Sequence, residues 1–275
     1  GTFTLRVLQT STFQNSSLVD MEWLGLLEDI ELGSVDMHTW STHFYQPWVD
    51  QAVIHSDWHI LGSSTHKSSI WAFPSCCSLL GLHLADPFVI QMHAGCALYP
   101  NGTSRGSVDV GADGRDFVAF KVERLRWEAQ QRSPLAEYVS KSLNKDKSVR
   151  ALLEHLLTVF CQNHVLTLYR YGKADLERQE PPVATVFALT PSPAQLLLVC
   201  RVTGFYPRPI SVAWLRDGQE VPPGPALSTS SILPNADLTY QLRSILALSP
   251  RDGHSYACRV RHRSLGTRSL LVPWG

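Results

Sequence analysis

Between Val149 and Leu168, apolar side chains fall at Val149, Leu152, Leu153, Leu156, Leu157, Phe160, Val165 and Leu168. This is the i, i+3, i+4, i+7 rhythm of one helix face. Arg150, Glu154, His155, Gln162 and Asn163 take the opposite face. The apolar face is broad and almost free of polar atoms, and Cys161 lies on its edge. Such a helix is either ordinary core or one wall of an apolar groove, pinned to the groove floor through Cys161.

The rest of the first 180 residues supplies a floor. Phe3, Leu5 and Val7 alternate with Thr2, Thr4 and Arg6, and Met21, Trp23, Gly25 and Leu27 share one side of a second strand. Short polar segments lead through Trp40 to Gln46-Pro47-Trp48. From about Val49 to Leu84 the pattern is helical but irregular, and Pro74 and the Gly62–Ser64 run predict a segmented helix. Phe88 to Leu98 reads as a strand with Phe88, Ile90, Met92, Ala94 and Cys96 on one face. Ser107–Ala112 and Asp116–Val122 follow as two strands joined by Asp113-Gly114, a hairpin signal. A helix begins near Pro134, breaks around Asn144–Lys147 and continues to about Arg178.

Residues 1–84 and 85–180 therefore each read as strands followed by a helix, a weak internal duplication. Two such halves pair edge to edge into one antiparallel sheet with two helices on one face. Cys96 then lies in the floor beneath the helix that carries Cys161, and a floor-to-wall disulfide is geometrically natural.

Glu180-Pro181-Pro182 reads as a linker, and residues 183–275 carry short strands at regular spacing. Cys200, Trp214, Tyr256 and Cys258 form the Cys…Trp…Tyr-x-Cys arrangement of an immunoglobulin sandwich, with Cys200 and Cys258 as its inter-sheet disulfide. The predicted fold class is α+β: an antiparallel sheet platform topped by two helices, followed by an all-β constant-type sandwich.

Composition narrows the function. The 24 basic and 24 acidic residues cancel, which argues against nucleic acid as a partner. No recurring CxxC pair points to zinc, and no nucleophile elbow, metal signature or phosphate loop points to an enzyme. The sequons at Asn15 and Asn101, with the cysteine usage, predict a glycosylated protein of the secretory pathway. No run of about 20 apolar residues is present, so the chain reads as a mature or truncated soluble portion, with any membrane anchor expected beyond Gly275.

Several stretches carry a family resemblance: Leu8-Gln9 with Phe13 and Asn15-Ser16-Ser17, Trp23-Leu24-Gly25, Pro47-Trp48, Ala94-Gly95-Cys96, Leu143-Asn144 with Asp146-Lys147, Gly172-Lys173, Ile232 to Asp237, and Cys258-Arg259-Val260. The chain resembles the MHC class I-like heavy chains, and within them the lipid-antigen-presenting (CD-one) glycoproteins. The resemblance implies a groove for alkyl chains, pairing with beta-2-microglobulin, display to a T-cell receptor, and residence at the cell surface and in endosomal membranes. No cofactor is implied beyond the bound lipid. The resemblance leaves Cys76 and Cys77 as unpaired, at least partly buried thiols. It also implies acidic loading, with His59, His66, His83, His155 and His164 on the helices as groups that protonate near pH 5–6.

Three positions at which peptide-presenting relatives hold peptide ends with tyrosines fall here on Val7, Leu156 and Leu168, none of which can hydrogen-bond a peptide terminus. An unpaired amide in a dry pocket costs on the order of 2–7 kcal/mol, whereas a buried methylene gains about 0.8 kcal/mol. The expected lining is Leu5, Val7, Met21, Trp23, Ile90, Met92, Val108, Val110 and Val118 from the floor. Trp58, Leu61, Phe73, Leu80, Leu153, Leu156, Leu157, Phe160 and Leu168 are expected from the helices. The competing reading is a class I-like receptor or ligand with a narrowed or empty groove that acts by protein contact.

Overall fold

The computed structural model describes residues 2–14, 17–36, 39, 41–54 and 87–275. They divide into two compact units, Gly1–Leu176 and Glu177–Gly275.

The first unit is built on an eight-stranded antiparallel sheet in the order β4-β3-β2-β1-β5-β6-β7-β8. Its strands are β1 (Phe3–Gln14), β2 (Ser17–Leu27), β3 (Ile30–Val35), β4 (Thr42–Phe44), β5 (Phe88–Leu98), β6 (Ser104–Ala112), β7 (Arg115–Lys121) and β8 (Arg126–Ala129). The two four-stranded halves meet where β1 pairs with β5, from Phe3↔Leu98 to Phe13↔Phe88. The duplication legible in the sequence is thus one sheet joined at its middle. Strands β3, β4 and β8 are absent from the sequence reading. They are three to six residues long, too short for alternation to stand out. The β6–β7 turn has positive φ at both Asp113 (48°) and Gly114 (73°), the type I′ geometry that Asp-Gly signals.

Helix α1 (Pro47–Ile54) starts at Pro47, where a missing amide hydrogen costs nothing. The expected continuation to Leu84, with Trp58, Leu61, Phe73, Pro74, Cys76, Cys77 and Leu80, lies outside the described residues, as does Asn15.

The helical arm of the second half has three helices. Helix α2 (Pro134–Leu143) is capped by the Ser133 hydroxyl, which accepts from the Ala136 amide. It ends at Asn144, whose side chain accepts from the Trp127 amide and donates to the Trp127 carbonyl, at 2.9 and 2.8 Å. One amide side chain thereby ties the helix end to β8 as a strand would. Asp146 then caps α3 (Lys147–His155) through the amides of Ser148 and Val149.

The single helix expected through Leu168 is instead interrupted. A π-helical turn, Leu156–Phe160, separates α3 from α4 (Cys161–Leu176), so α4 ends short of Arg178. Leu152, expected on the buried side, is 38% exposed, while Leu153 and Leu157 are buried.

The second unit is a sandwich. One sheet has the order β13 (Leu227–Thr229), β15 (Tyr240–Leu248), β10 (Gln195–Phe205), β9 (Val183–Ser192), with β14 (Leu233–Pro234) paired to β15. The other has the order β12 (Gln219–Glu220), β11 (Ile210–Arg216), β16 (Tyr256–His262), β17 (Leu270–Trp274). Cys200 and Cys258 are bonded across the sheets with Cα atoms 6.2 Å apart, and Trp214 is fully buried in the same cluster. The Tyr256 hydroxyl donates to the Asp252 carboxylate at 2.6 Å.

Candidate functional site

The register of the sheet assembles the floor. Trp23 pairs with Gln9, Gln9 with Met92, Met92 with Val110 and Val110 with Val118, so these residues form one row across five strands. A second row runs Gly25, Val7, Ala94, Val108, Phe120, Trp127, a third Met21, Ser11, Ile90, Ala112, and a fourth Leu27, Leu5, Cys96, Gly106. Directly paired residues point to the same side. All nine predicted floor residues therefore share one face: Leu5, Val7, Met21, Trp23, Ile90, Met92, Val108, Val110 and Val118. It is the face toward the helices, because Ile90, Val108, Val110 and Val118 pack in one cluster with Ala136, Val139, Val149, Leu153 and Leu157.

The wall sits low on this floor. A Cβ on Gly106 would lie 2.6 Å from Leu157 Cβ and 2.9 Å from the Leu157 carbonyl oxygen, so only glycine lets the π-helical turn settle there. Cys161 follows immediately and is bonded to Cys96, with Cα atoms 6.3 Å apart. Cys96 pairs with Gly106 across β5 and β6, so the disulfide and the glycine contact fix the same part of the wall. Behind them, His164 is buried, stacked on Phe160 at 3.6 Å, with Nδ1 2.8 Å from the Phe160 carbonyl.

One end of the unit is closed by a separate apolar cluster of Leu5, Leu27, Leu32, Val49, Cys96, Cys161, Val165 and Leu168, flanked by Trp48. Trp48 lies flat on α4: a Cβ at Gly172 would come within 2.7 Å of its ring, and its Nε1 donates to Asp175 at 2.7 Å. Leu5 and Leu168 thus sit in the packing of this closed end.

Elsewhere the predicted lining separates into two groups. Ile90, Val108, Val110, Val118, Leu153 and Leu157 are buried between sheet and wall. Val7, Met21, Trp23 and Met92 lie on the helix-facing side of the sheet yet keep part of their surface open, and on the wall Leu156 and Phe160 are likewise only partly buried. Within the polar landscape of the site, Gln9 and Ser11 stand alone in an otherwise apolar stretch of floor, and the sequence reading passed over both. Asn101, at the exposed β5–β6 turn, holds Thr103 through its side-chain oxygen, which accepts from the Thr103 amide and hydroxyl.

Among the described residues no group of three or more His, Cys, Asp or Glu side chains is placed to hold a metal ion. No described helix is long and apolar enough to cross a membrane.

Comparisons with known proteins agree with this geometry. Residues 1–175 match the MHC-I family domain, and residues 186–265 match the immunoglobulin C1-set domain. The antigen-presenting glycoprotein CD1d of Sylvilagus floridanus is 32% identical over 99% of this chain and 98% of its own length. The T-cell surface glycoprotein CD1b-1 of Ovis aries is 30% identical over 100% of this chain and 82% of its own. Among solved structures, chicken CD1-1 superposes with a TM-score of 0.89 at 45% identity, covering 99% of this chain and all of that one. Chicken CD1-2 with bound fatty acid superposes with a TM-score of 0.90, again at 45% identity, covering 99% and 98%. A platform sheet under helices, a floor-to-wall disulfide and a C1-type sandwich, with these relatives, show that the chain belongs to the CD1 family of MHC class I-like antigen-presenting glycoproteins.

Proposed function

We propose that the groove binds the alkyl chain of a lipid or glycolipid and displays its polar end to T cells. The observation that carries this reading is the set of apolar residues on the helix-facing side of the floor that keep open surface, Val7, Met21, Trp23 and Met92, beside partly buried Leu156 and Phe160 on the wall. An unfilled apolar lining forfeits packing, and an alkyl chain restores it. A 16-carbon tail gains on the order of 10 kcal/mol from burial before its entropy losses. Peptide is disfavoured at the same place, since Val7 and Leu156 offer no hydrogen bond to a terminus. The fatty acid in the chicken CD1-2 structure supports the same choice of ligand. The chain's relatives are named as antigen-presenting glycoproteins, which supports a binding role over an enzymatic one.

Pairing with beta-2-microglobulin is part of the proposal. On the face of the five-stranded sheet turned away from Trp214, Phe187, Val199 and Ile245 form one row and Leu189, Leu197 and Ala247 the next. Phe187 and Leu189 remain 39% and 50% exposed. An apolar patch of this kind fits a partner chain better than water. A cell-surface and endosomal location, and N-glycans at Asn15 and Asn101, belong to the same reading.

Calorimetry of the chain co-expressed with beta-2-microglobulin tests the proposal. Delipidated complex should take up hexadecanoic acid at a saturable site with a negative heat-capacity change, the signature of apolar burial. Absence of saturable uptake would favour a closed-groove receptor.

A further inference from the structure

Gln9 occupies the middle of the platform, on central strand β1, between Trp23 of β2 and Met92 of β5. It is 93% buried on the helix-facing side, and Ser11, two residues on and on the same face, is wholly buried. The Gln9 amide nitrogen donates to Ser11 Oγ at 2.9 Å and approaches Met21 Sδ at 3.4 Å. Among the described residues, no hydrogen bond reaches the other end of that amide, Oε1. A glutamine side chain offers two donors and a carbonyl acceptor, and an apolar chain laid over a carbonyl that the protein does not bond takes it from water with no replacement partner. Here the amide nitrogen is held against Ser11 and Met21, while Oε1 is not among the wholly buried, unpaired atoms and so keeps some open surface.

A saturated chain laid over this floor leaves Oε1 unpaired. A chain with a hydroxyl at the matching depth pairs it, and because a hydroxyl both donates and accepts, it satisfies either end of the amide. We propose that Gln9, positioned by Ser11, is a specificity-determining residue of the groove that selects alkyl chains carrying a hydroxyl along their length. This rests on the lipid-binding reading above and adds to it the class of chain preferred.

The test uses the complex with beta-2-microglobulin and displacement of a fluorescent fatty acid. Hexadecanoic acid is compared with its monohydroxy derivatives, the hydroxyl being moved stepwise along the chain. At one or two adjacent positions the hydroxy acid should bind about three- to tenfold more tightly than hexadecanoic acid, the span of one net hydrogen bond. In Gln9→Leu that gain should vanish while hexadecanoic acid binds as well or better. Gln9→Met, closer in length, serves the same purpose if the leucine variant does not fold. No preferred hydroxyl position, or a preference that survives in these variants, would overturn the inference while leaving the lipid reading intact. Failure of hexadecanoic acid itself to bind would remove both.

Discussion

Gly106 and Leu157 touch backbone to side chain: a methyl group on Gly106 would meet Leu157 Cβ at 2.6 Å and its carbonyl at 2.9 Å. The contact explains why the wall breaks its α-helical repeat where it does. A π-helical turn drops Leu157 onto Gly106, a floor position without a side chain, and then delivers Cys161 to Cys96.

Gly106→Ala should therefore lift the wall. Because backbone as well as side chain opposes the new methyl, the cost should be about 1–3 kcal/mol, typical of overpacking. Thermal unfolding of the lipid-loaded complex measures it, and faster loss of bound fatty acid should accompany it.

Cys96 and Cys161 close a 65-residue separation. In the chain-entropy account a loop of that size is worth about 4 kcal/mol. The double variant Cys96→Ala/Cys161→Ala should unfold at lower denaturant by an amount of that order, with hydrogen exchange rising first in α4.

Trp48 is held between Gly172 and Asp175 at the closed end. Gly172→Ala should push the indole off α4 and break its bond to Asp175. Asp175→Asn, which keeps an acceptor, should be nearly silent in the same melting experiment, whereas Asp175→Leu should cost about 1–3 kcal/mol for the stranded indole N–H.

The immunoglobulin-type unit should tolerate endosomal pH. The Tyr256 hydroxyl lowers the Asp252 pKa, and the amide of Ser255 followed by His254 lowers that of Asp217. Burial, with the Asp252 hydrogen bond, pushes Tyr256 up to about 12. Carboxyls with depressed folded-state pKa values contribute stability that is complete above their unfolded value of about 3.9 and is lost as pH falls through the folded ones. Protection against hydrogen exchange in β16, taken relative to the intrinsic rate at each pH, should thus be flat from neutral pH to about 5 and fall below about 4, and Asp252→Asn should flatten that acid response. Burial raises Glu28 in the platform, so its contribution has the opposite sign, favouring the fold as it protonates and fading as pH rises.

Much of this architecture was legible in residue patterns. The alternations of β1, β2, β5, β6 and β7 put all nine predicted floor residues on one face, and the Cys200, Trp214, Tyr256, Cys258 spacing defined the sandwich. What escaped has physical causes. Strands β3, β4 and β8 are too short for periodicity, and their pairing comes from neighbours. The π-helical turn leaves no mark in a helical repeat, though Gly106 among inward-facing positions was a hint of close approach. Gln9 and Ser11 were passed over because a search for an apolar stripe discards polar residues, even when alternation places them inward. Sequence alone also could not separate Leu5 and Leu168, packed in the closed end, from Val7, Trp23 and Phe160, which keep open surface.

The central claim is that the open apolar surface holds an alkyl chain. The most direct measurement is organic extraction and mass spectrometry of the complex purified under native conditions from animal cells, with peptide elution in parallel. Fatty acids or phospholipids at near-stoichiometric amounts are the predicted result. Recovery of peptides with shared anchor residues, or of neither lipid nor peptide, would contradict it.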